Sequence, residues 1–275
     1  MAIDIDYTNE KKVSAAFNAQ SVIFDALYRD NKIVDYKRQR VREHLLKFLE
    51  PGSHILELNA GTGDDAIYFA KKGFHVHATD ISEGMQDKLS GKLTGEFMTG
   101  SVSQEICSFT NLDALKKKGP YDCIFSNFAG LNCTGQLEKV LGDFDGLVKP
   151  GGMLLLVILP RFCLWETLLV FRGRFKTAFR RFFSSGGRRA RIEDSEFTCW
   201  YHSPRFVKRH LKDKFEMMET EGLCAIVPPS YIERFPEKYP SLYAGLCSLE
   251  NRLKGKWPWK HMGDYYIISF RKKSQ

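Results

Sequence analysis

None of the seven cysteines in this 275-residue chain stands in a C-x-x-C pair. Odd in number and scattered from Cys107 to Cys247, they argue against a disulfide framework or a zinc knuckle and point to a reducing compartment. The polar start, MAIDIDYTNEKK, lacks the basic opening and apolar run of a signal peptide, so a cytoplasmic location is expected. An uninterrupted membrane span is missing too: Leu154 to Phe171 comes nearest, but Pro160, Arg161 and Glu166 break it. There is no internal repeat and no low-complexity tract. His75 and His77 share a strand face without a third ligand in view, so no metal is expected. At this length one domain over residues 1–275, with insertions, is more economical than two.

The most informative segment is Ile55 to Asp80, ILELNAGTGDDAIYFAKKGFHVHATD. It reads as a buried strand, a glycine turn, a helix and a second strand ending in an acid. Gly61 and Gly63 allow a sharp turn and close approach of a ligand to the backbone, and Asp80 can accept both hydroxyls of a ribose. Gly61, Gly63 and Ala66 also satisfy the loose G-x-G-x-x-A pattern of a dinucleotide site. Charge decides against a dinucleotide: Asp64 and Asp65 would repel a diphosphate at the helix N-terminus, and Glu57 adds a third negative group. A cationic nucleoside fits better.

On these residues the segment resembles the first motif of class I S-adenosylmethionine (SAM)-dependent methyltransferases, with Glu57 leading the turn and Asn59 where that family usually has its first glycine. Asn tolerates unusual backbone angles, so modest adjustment of the site is expected. The rest of the chain extends the resemblance. TDIS, residues 79–82, followed by Met85, is similar to the stretch where such enzymes clamp the ribose and cover the adenine, which implies contacts from Ile81 and Met85. Gly95 to Val102 reads as the third strand, with Val102 as an adenine contact. Tyr121 to Ser126 reads as the fourth, followed by SNFAGLN, which resembles the motif lying between methyl donor and acceptor; Asn127 and Phe128 are expected to face the cofactor and Asn132 the acceptor. Lys149 to Leu159 resembles the fifth strand, and Asp264 to Lys272 a final antiparallel strand. The implied fold is α/β, a Rossmann-like seven-stranded methyltransferase sheet with N-terminal helices over residues 1–50, a basic aromatic insertion at 160–200 and a second insertion at 228–262. The implied cofactor is SAM.

The N-terminal fifty residues carry apolar side chains at helical spacing, among them Phe17, Val22, Phe24, Leu27, Val34, Val41 and Leu45, and read as two helices. In similar enzymes such helices close over the cofactor, so Tyr28, Tyr36 or Arg38 becomes a candidate contact, beside the blander reading of an amphipathic cover.

Between Arg161 and Arg191 stand nine Lys or Arg residues and one acid, Glu166, a local net of +8 that leaves 32 basic and 32 acidic residues elsewhere. All the excess charge lies in the first insertion. Leu164, Leu168, Phe171, Phe175, Phe179 and Phe182 recur at helical spacing, predicting one amphipathic helix that serves as a lid, with SSGG at 184–187 as a flexible tip. Three readings stay open: a solvated basic face; an apolar, anionic or lipid-like acceptor or an anionic membrane surface; and RNA. Arg161, Trp165 and Arg172 are the candidate acceptor contacts. The N/D/S-P-P-Y/F pattern similar to that of nucleic-acid amino methyltransferases is absent, which ranks nucleic acid lower. A hydroxyl acceptor needs a base, for which His202 in CWYHSP is the candidate, with Tyr201 to orient the same group. The expected activity is methyl transfer to oxygen or nitrogen of a small molecule; the rival is a catalytically silent fold relative that binds RNA, or an RNA methyltransferase.

Overall fold

The structure is a computed structural model that describes residues 2–96, 100–184 and 186–274. Nine strands appear among them: β1 (His54–Leu58), β2 (His75–Asp80), β3 (Val102–Ile106), β4 (Tyr121–Ser126), β5 (Val148–Ile158), β6 (Arg188–Ile192), β7 (Ser195–Cys199), β8 (Phe215–Leu223) and β9 (Tyr265–Lys272). Seven form one sheet in the order β3-β2-β1-β4-β5-β9-β8, and β6 and β7 form a separate hairpin. The β3-to-β5 half is parallel, whereas β9 runs antiparallel to both β5 and β8. The expected seven-stranded sheet with an antiparallel last strand is therefore what forms.

Strand alternation divides the core in two. Leu56, Ile124, Leu154, Leu156 and Ile268 point to one face and pack on α6 (Leu137–Asp143) and α9 (Pro204–Leu211). Ile55, Phe125, Met153, Leu155 and Ile267 point to the other, against α3 (Lys32–Leu46), α4 (Asp64–Lys71) and α5 (Glu83–Glu96). Residues adjacent in sequence thus serve opposite cores. That is why the central strands are continuously apolar instead of alternating.

The chain runs from β1 outward to β3 and returns to add β4 on the other flank of β1. Such a reversal opens a crevice beyond the carboxyl ends of β1 and β4, where open α/β sheets bind their ligands. The N-terminal part covers this crevice. It comprises three helices, not two: α1 (Ala2–Gln20), the short α2 (Phe24–Tyr28) and α3. α1 is held at two places. The Asn9 amide donates to the carbonyls of Cys133 and Thr198 and accepts from the Thr198 amide, and Asn18 Oδ1 accepts from Ser82 Oγ and the Gly84 amide.

Two expectations about elements need correction. The third strand starts at Val102, because α5 continues to Glu96; residues 97–99 of the expected strand lie outside the described residues. The predicted lid helix is not one helix. It breaks into α7 (Leu164–Thr167), a 3₁₀ segment (Leu168–Arg172) and α8 (Phe175–Ala178), with Gly173 at φ +69 between the last two. A left-handed residue ends a helix, so the apolar period passes through a stop that spacing alone does not show. Of the expected tip, Ser185 lies outside the described residues; β6 follows from Arg188. The second insertion folds as α10 (Phe235–Lys238) and α11 (Pro240–Leu253). No helix among the described residues is long and apolar enough to cross a membrane.

Candidate functional site

The turn after β1 contains three left-handed residues, Asn59 (φ +48), Gly61 (φ +56) and Gly63 (φ +79). The two glycines are there for different reasons. A side chain on Gly63 would meet Leu89 Cδ1 at 2.2 Å, so this glycine lets α4 and α5 pack closely. A Cβ on Gly61 would meet nothing within 4 Å, and Gly61 lines the cavity, so its open face is available to a ligand. The Gly61 amide donates to Asp80 Oδ2 and the Ser82 amide to Asp80 Oδ1, each at 2.9 Å. These bonds fix the carboxylate and leave each oxygen with acceptor capacity for a ribose hydroxyl. Burial raises the Asp80 pKa, and the amide donors oppose that rise.

Asn59 links the first turn to the turn after β4. Its Nδ2 donates to the Asn127 carbonyl at 2.8 Å, and Ser126 Oγ donates to its Oδ1 at 2.6 Å. The side chain fills space that a Cβ on Gly130 would need, 2.2 Å from Asn59 Cγ. Phe128 and Ala129 in that turn are left-handed as well, at φ +50 and +60. Left-handed non-glycine residues are sparsely populated, and three of the five in the described chain belong to these two turns. Asn127 Nδ2 donates to Asp65 Oδ2 at 2.8 Å and its Oδ1 accepts the Phe128 amide at 2.7 Å, so the second turn is tied to the start of α4.

The floor of the cavity is acidic. Asp65 is paired with Arg42 at 2.6 Å, and Asp64 with Arg38 and, at 2.9 Å, Lys92. Glu57 has no such partner among the described residues. It is 3% exposed, and its buried Oε2 has no hydrogen-bond donor among them. Burial and the neighbouring Asp65 push its pKa well above the ordinary carboxylate range. An orphaned carboxylate oxygen in a cavity wall suits a cationic ligand group, and the nearby Asp80 suits a ribose, so the residues fit the cofactor expected from the sequence.

Counting the open solvent at its mouth, the cavity holds about 840 Å³ of empty space. Eight predicted cofactor contacts meet there: Glu57, Asn59, Gly61, Asp80, Ile81, Met85, Asn127 and Phe128. Arg38 lines it as well, already engaged with Asp64; Tyr28 lines an adjoining charged mouth, and Tyr36 instead donates to Glu250. The remaining lining was missed from sequence. Val13, Phe17 and Phe24 come from the N-terminal cover, Cys107 and Phe109 from the segment after β3, and Gly130 and Cys133 from the turn after β4. Phe17 and Phe24 carried the helical period as a signal; Cys107 and Phe109 follow from the true end of β3.

Other predicted residues lie elsewhere. Val102 opens β3 and pairs with Val76 near the start of β2, at the sheet end opposite the cavity. Asn132 is buried in a stitch: its amide donates to the carbonyls of Leu159 and Trp200 and accepts from the Leu159 amide. The His202 amide also donates to the Leu159 carbonyl. Its ring packs on Phe206, and burial, with help from Arg161, lowers its pKa to about 4, which leaves it neutral. Tyr201 is buried under the Arg181 guanidinium, with its hydroxyl pKa raised by burial. Arg161 is exposed and donates from Nε to the Tyr201 carbonyl; Trp165 is half-buried and Arg172 exposed. None of Gly63, Val102, Asn132, Arg161, Trp165, Arg172, Tyr201 and His202 lines the cavity.

Residues 55–152 match the family described as a methyltransferase domain. The ubiquinone/menaquinone biosynthesis C-methyltransferase of Hydrogenovibrio crunogenus is 30% identical over 154 residues, 54% of this chain and 58% of that protein. A demethylmenaquinone methyltransferase of Leptospira interrogans is 30% identical over 120 residues, 42% of this chain and 47% of the relative. The chain thus spans about half the length of the curated relatives it matches. Among solved structures, the magnesium protoporphyrin IX methyltransferase of Synechocystis PCC 6803 with bound SAH superposes with a TM-score of 0.59 at 14% identity, over 97% of this chain and 100% of the other. The 1,6-didemethyltoxoflavin-N1-methyltransferase of Burkholderia thailandensis, with 1,6-didemethyltoxoflavin and S-adenosylhomocysteine bound, gives 0.58 at 14% identity, over 98% of this chain and 90% of the other. At such identity the likeness is one of fold.

Proposed function

We propose that this chain, whose residues 55–152 match a methyltransferase domain, transfers a methyl group from SAM to a small, apolar, lipid-like acceptor. The observation that carries this reading is the pairing, in one cavity, of the unpartnered Glu57 oxygen with the amide-fixed Asp80 carboxylate. In this reading Asp80 accepts the ribose hydroxyls, Gly61 lets the cofactor approach the backbone, Ile81 and Met85 cover the adenine, and Glu57 faces the cationic methionine end. Methyl transfer from a sulfonium is an in-line displacement that neutralises charge, so the protein contributes alignment and exclusion of water.

Of the lining outside the predicted cofactor contacts, Phe17, Phe24 and Phe109 are aromatic, while the arginines of the first insertion do not line the cavity. That favours an apolar acceptor over an anionic one. Transfer to a hydroxyl oxygen would call for a base, but His202 and Tyr201 lie outside the lining, and the name of the Hydrogenovibrio relative favours carbon. The partner that goes with a lipid-like acceptor is an anionic lipid surface.

Isothermal titration tests the cofactor. The expected result is that SAM binds the parent and NAD does not, and that Asp80→Ala weakens SAM binding by about 1.5–3 kcal/mol, the range for a hydrogen bond to a charged group. Equal affinity in a folded Asp80→Ala variant overturns the assignment. Mass spectrometry of a lipid extract incubated with enzyme and SAM then identifies the methylated product.

A further inference from the structure

The first insertion presents an aromatic and basic surface that has no role in the cavity. Phe171, Phe175 and Phe183 are 87%, 57% and 73% exposed, and Phe179 and Phe182 beside them 40% and 44%. Large aromatic side chains in water are costly, and a run of them on a stretch this short marks a contact surface. The segment is also firmly placed. Arg181, 3% exposed, is bound by Glu166 at 2.6 Å and Asp264 at 2.7 Å and donates to the Asp264 carbonyl, while Arg180 Nε donates to Glu166 at 2.8 Å. The exposed phenylalanines therefore project from an anchored base.

The anchor also sorts the charges. Arg180 and Arg181 belong to it, whereas Arg172, Arg174 and Lys176 are exposed and have no ion pair among the described residues. Next in the chain, Arg188 is exposed and wraps back to donate to the carbonyls of Arg180 and Phe183. Exposed cations thus interleave with exposed rings, on a molecule whose remaining residues balance in charge. Rings that enter the acyl boundary beside cations at the headgroup level are what an anionic bilayer binds.

We propose that this surface, centred on Phe171, Phe175 and Phe183 with Arg172, Arg174 and Lys176, docks the protein on an anionic phospholipid membrane. The proposal rests on the lipid-like acceptor only in giving docking a purpose; the surface itself is argued independently. It also has a route to the cavity. Beyond Arg188 the chain forms the β6–β7 hairpin, whose Phe197 packs with Val13 and Ala16 of α1, and Val13 lines the cavity.

Flotation of the full chain with vesicles tests it, using phosphatidylcholine alone and phosphatidylcholine with 30 mol%, or about one third, phosphatidylglycerol. The expected result is capture by the anionic vesicles only, weakening as salt is raised through the range where the screening length shortens. Arg172→Gln/Arg174→Gln/Lys176→Gln lowers the partition coefficient on the order of 100-fold at low salt, since each basic residue near such a surface contributes about fivefold. Phe171→Ser/Phe175→Ser lowers it even at constant charge. SAM affinity, measured in parallel, is unchanged in both variants, which separates failure of docking from failure of the cofactor reading. Absence of capture by anionic vesicles, or capture indifferent to both variants, overturns the proposal. So does a parent that dimerises through the phenylalanines, or a basic variant that loses only binding to short single-stranded RNA.

Discussion

Gly61 and Gly63 look alike as letters and differ in what surrounds them. Gly61→Val places a branched side chain at φ +56 in the ligand's space, so it is expected to abolish SAM binding and to cost about 1–2 kcal/mol of stability from backbone strain. Gly63→Ala instead collides with Leu89 and is expected to act mainly through loss of stability. Thermal melts with and without SAM distinguish the two. His202 makes a pH prediction. Its folded pKa, about 4, lies below the value near 6.5 of an unfolded histidine, so below pH 6.5 the unfolded chain binds the proton first. Stability is fully present above that pH and is lost as pH falls through the window, by up to about 3 kcal/mol. Urea titrations at pH 7 and pH 5 check this, and His202→Gln should flatten the difference. At this scale the sequence places a residue in the cavity wall where its position follows from its own strand end, as with Glu57, Asp80 and Asn127. It does not do so where a side chain is taken up by a distant partner. Nothing local to CWYHSP says that Leu159 takes up the His202 amide or that Asn132 is consumed in the same stitch.

The elements with a single buried purpose were read best. β1, β4, β5 and β9 are apolar because two cores claim alternate residues, and a continuous apolar run bounded by turns signals such a strand directly. β3 was misread because it is a sheet edge with a mixed burial pattern, which blurs its start against α5. The first insertion was misread for another reason: its helical period records exposed phenylalanines, not a buried stripe, and Gly173 stops the helix within it. What holds this element is the Arg181 anchor. Arg181→Ala removes the buried guanidinium that Glu166 and Asp264 share, leaving Glu166 to Arg180 and Asp264 to Lys37 at 4.0 Å, and is expected to cost about 3 kcal/mol, whereas Arg172→Ala, exposed and without an ion pair among the described residues, stays within about 0.5 kcal/mol. Chemical denaturation of the two variants side by side checks the contrast.

For the molecule as a whole, a ligand that binds only the folded state stabilises it by mass action. SAM at 100 times its Kd is expected to add about 2.7 kcal/mol and raise Tm by about 5–10 °C, while NAD at the same concentration leaves Tm unchanged. The overall architecture was readable because its signals are ordered along the chain, strand by strand. A cover of N-terminal helices was expected from the resemblance, but the bonds that hold α1 there were not legible, because Asn9 and Asn18 reach the hairpin and the start of α5 from far away in sequence. Glu57 has a consequence that is thermochemical. Held in a buried acidic wall with one oxygen unpartnered, it has its pKa pushed up by burial, and a cation drawn beside it pulls the other way. If Glu57 faces the cationic end of the cofactor as proposed, loading the cavity is expected to release a proton into the medium. The heat observed for the same binding event will differ between phosphate and Tris in proportion to their ionisation enthalpies, and Glu57→Gln will make the two buffers agree.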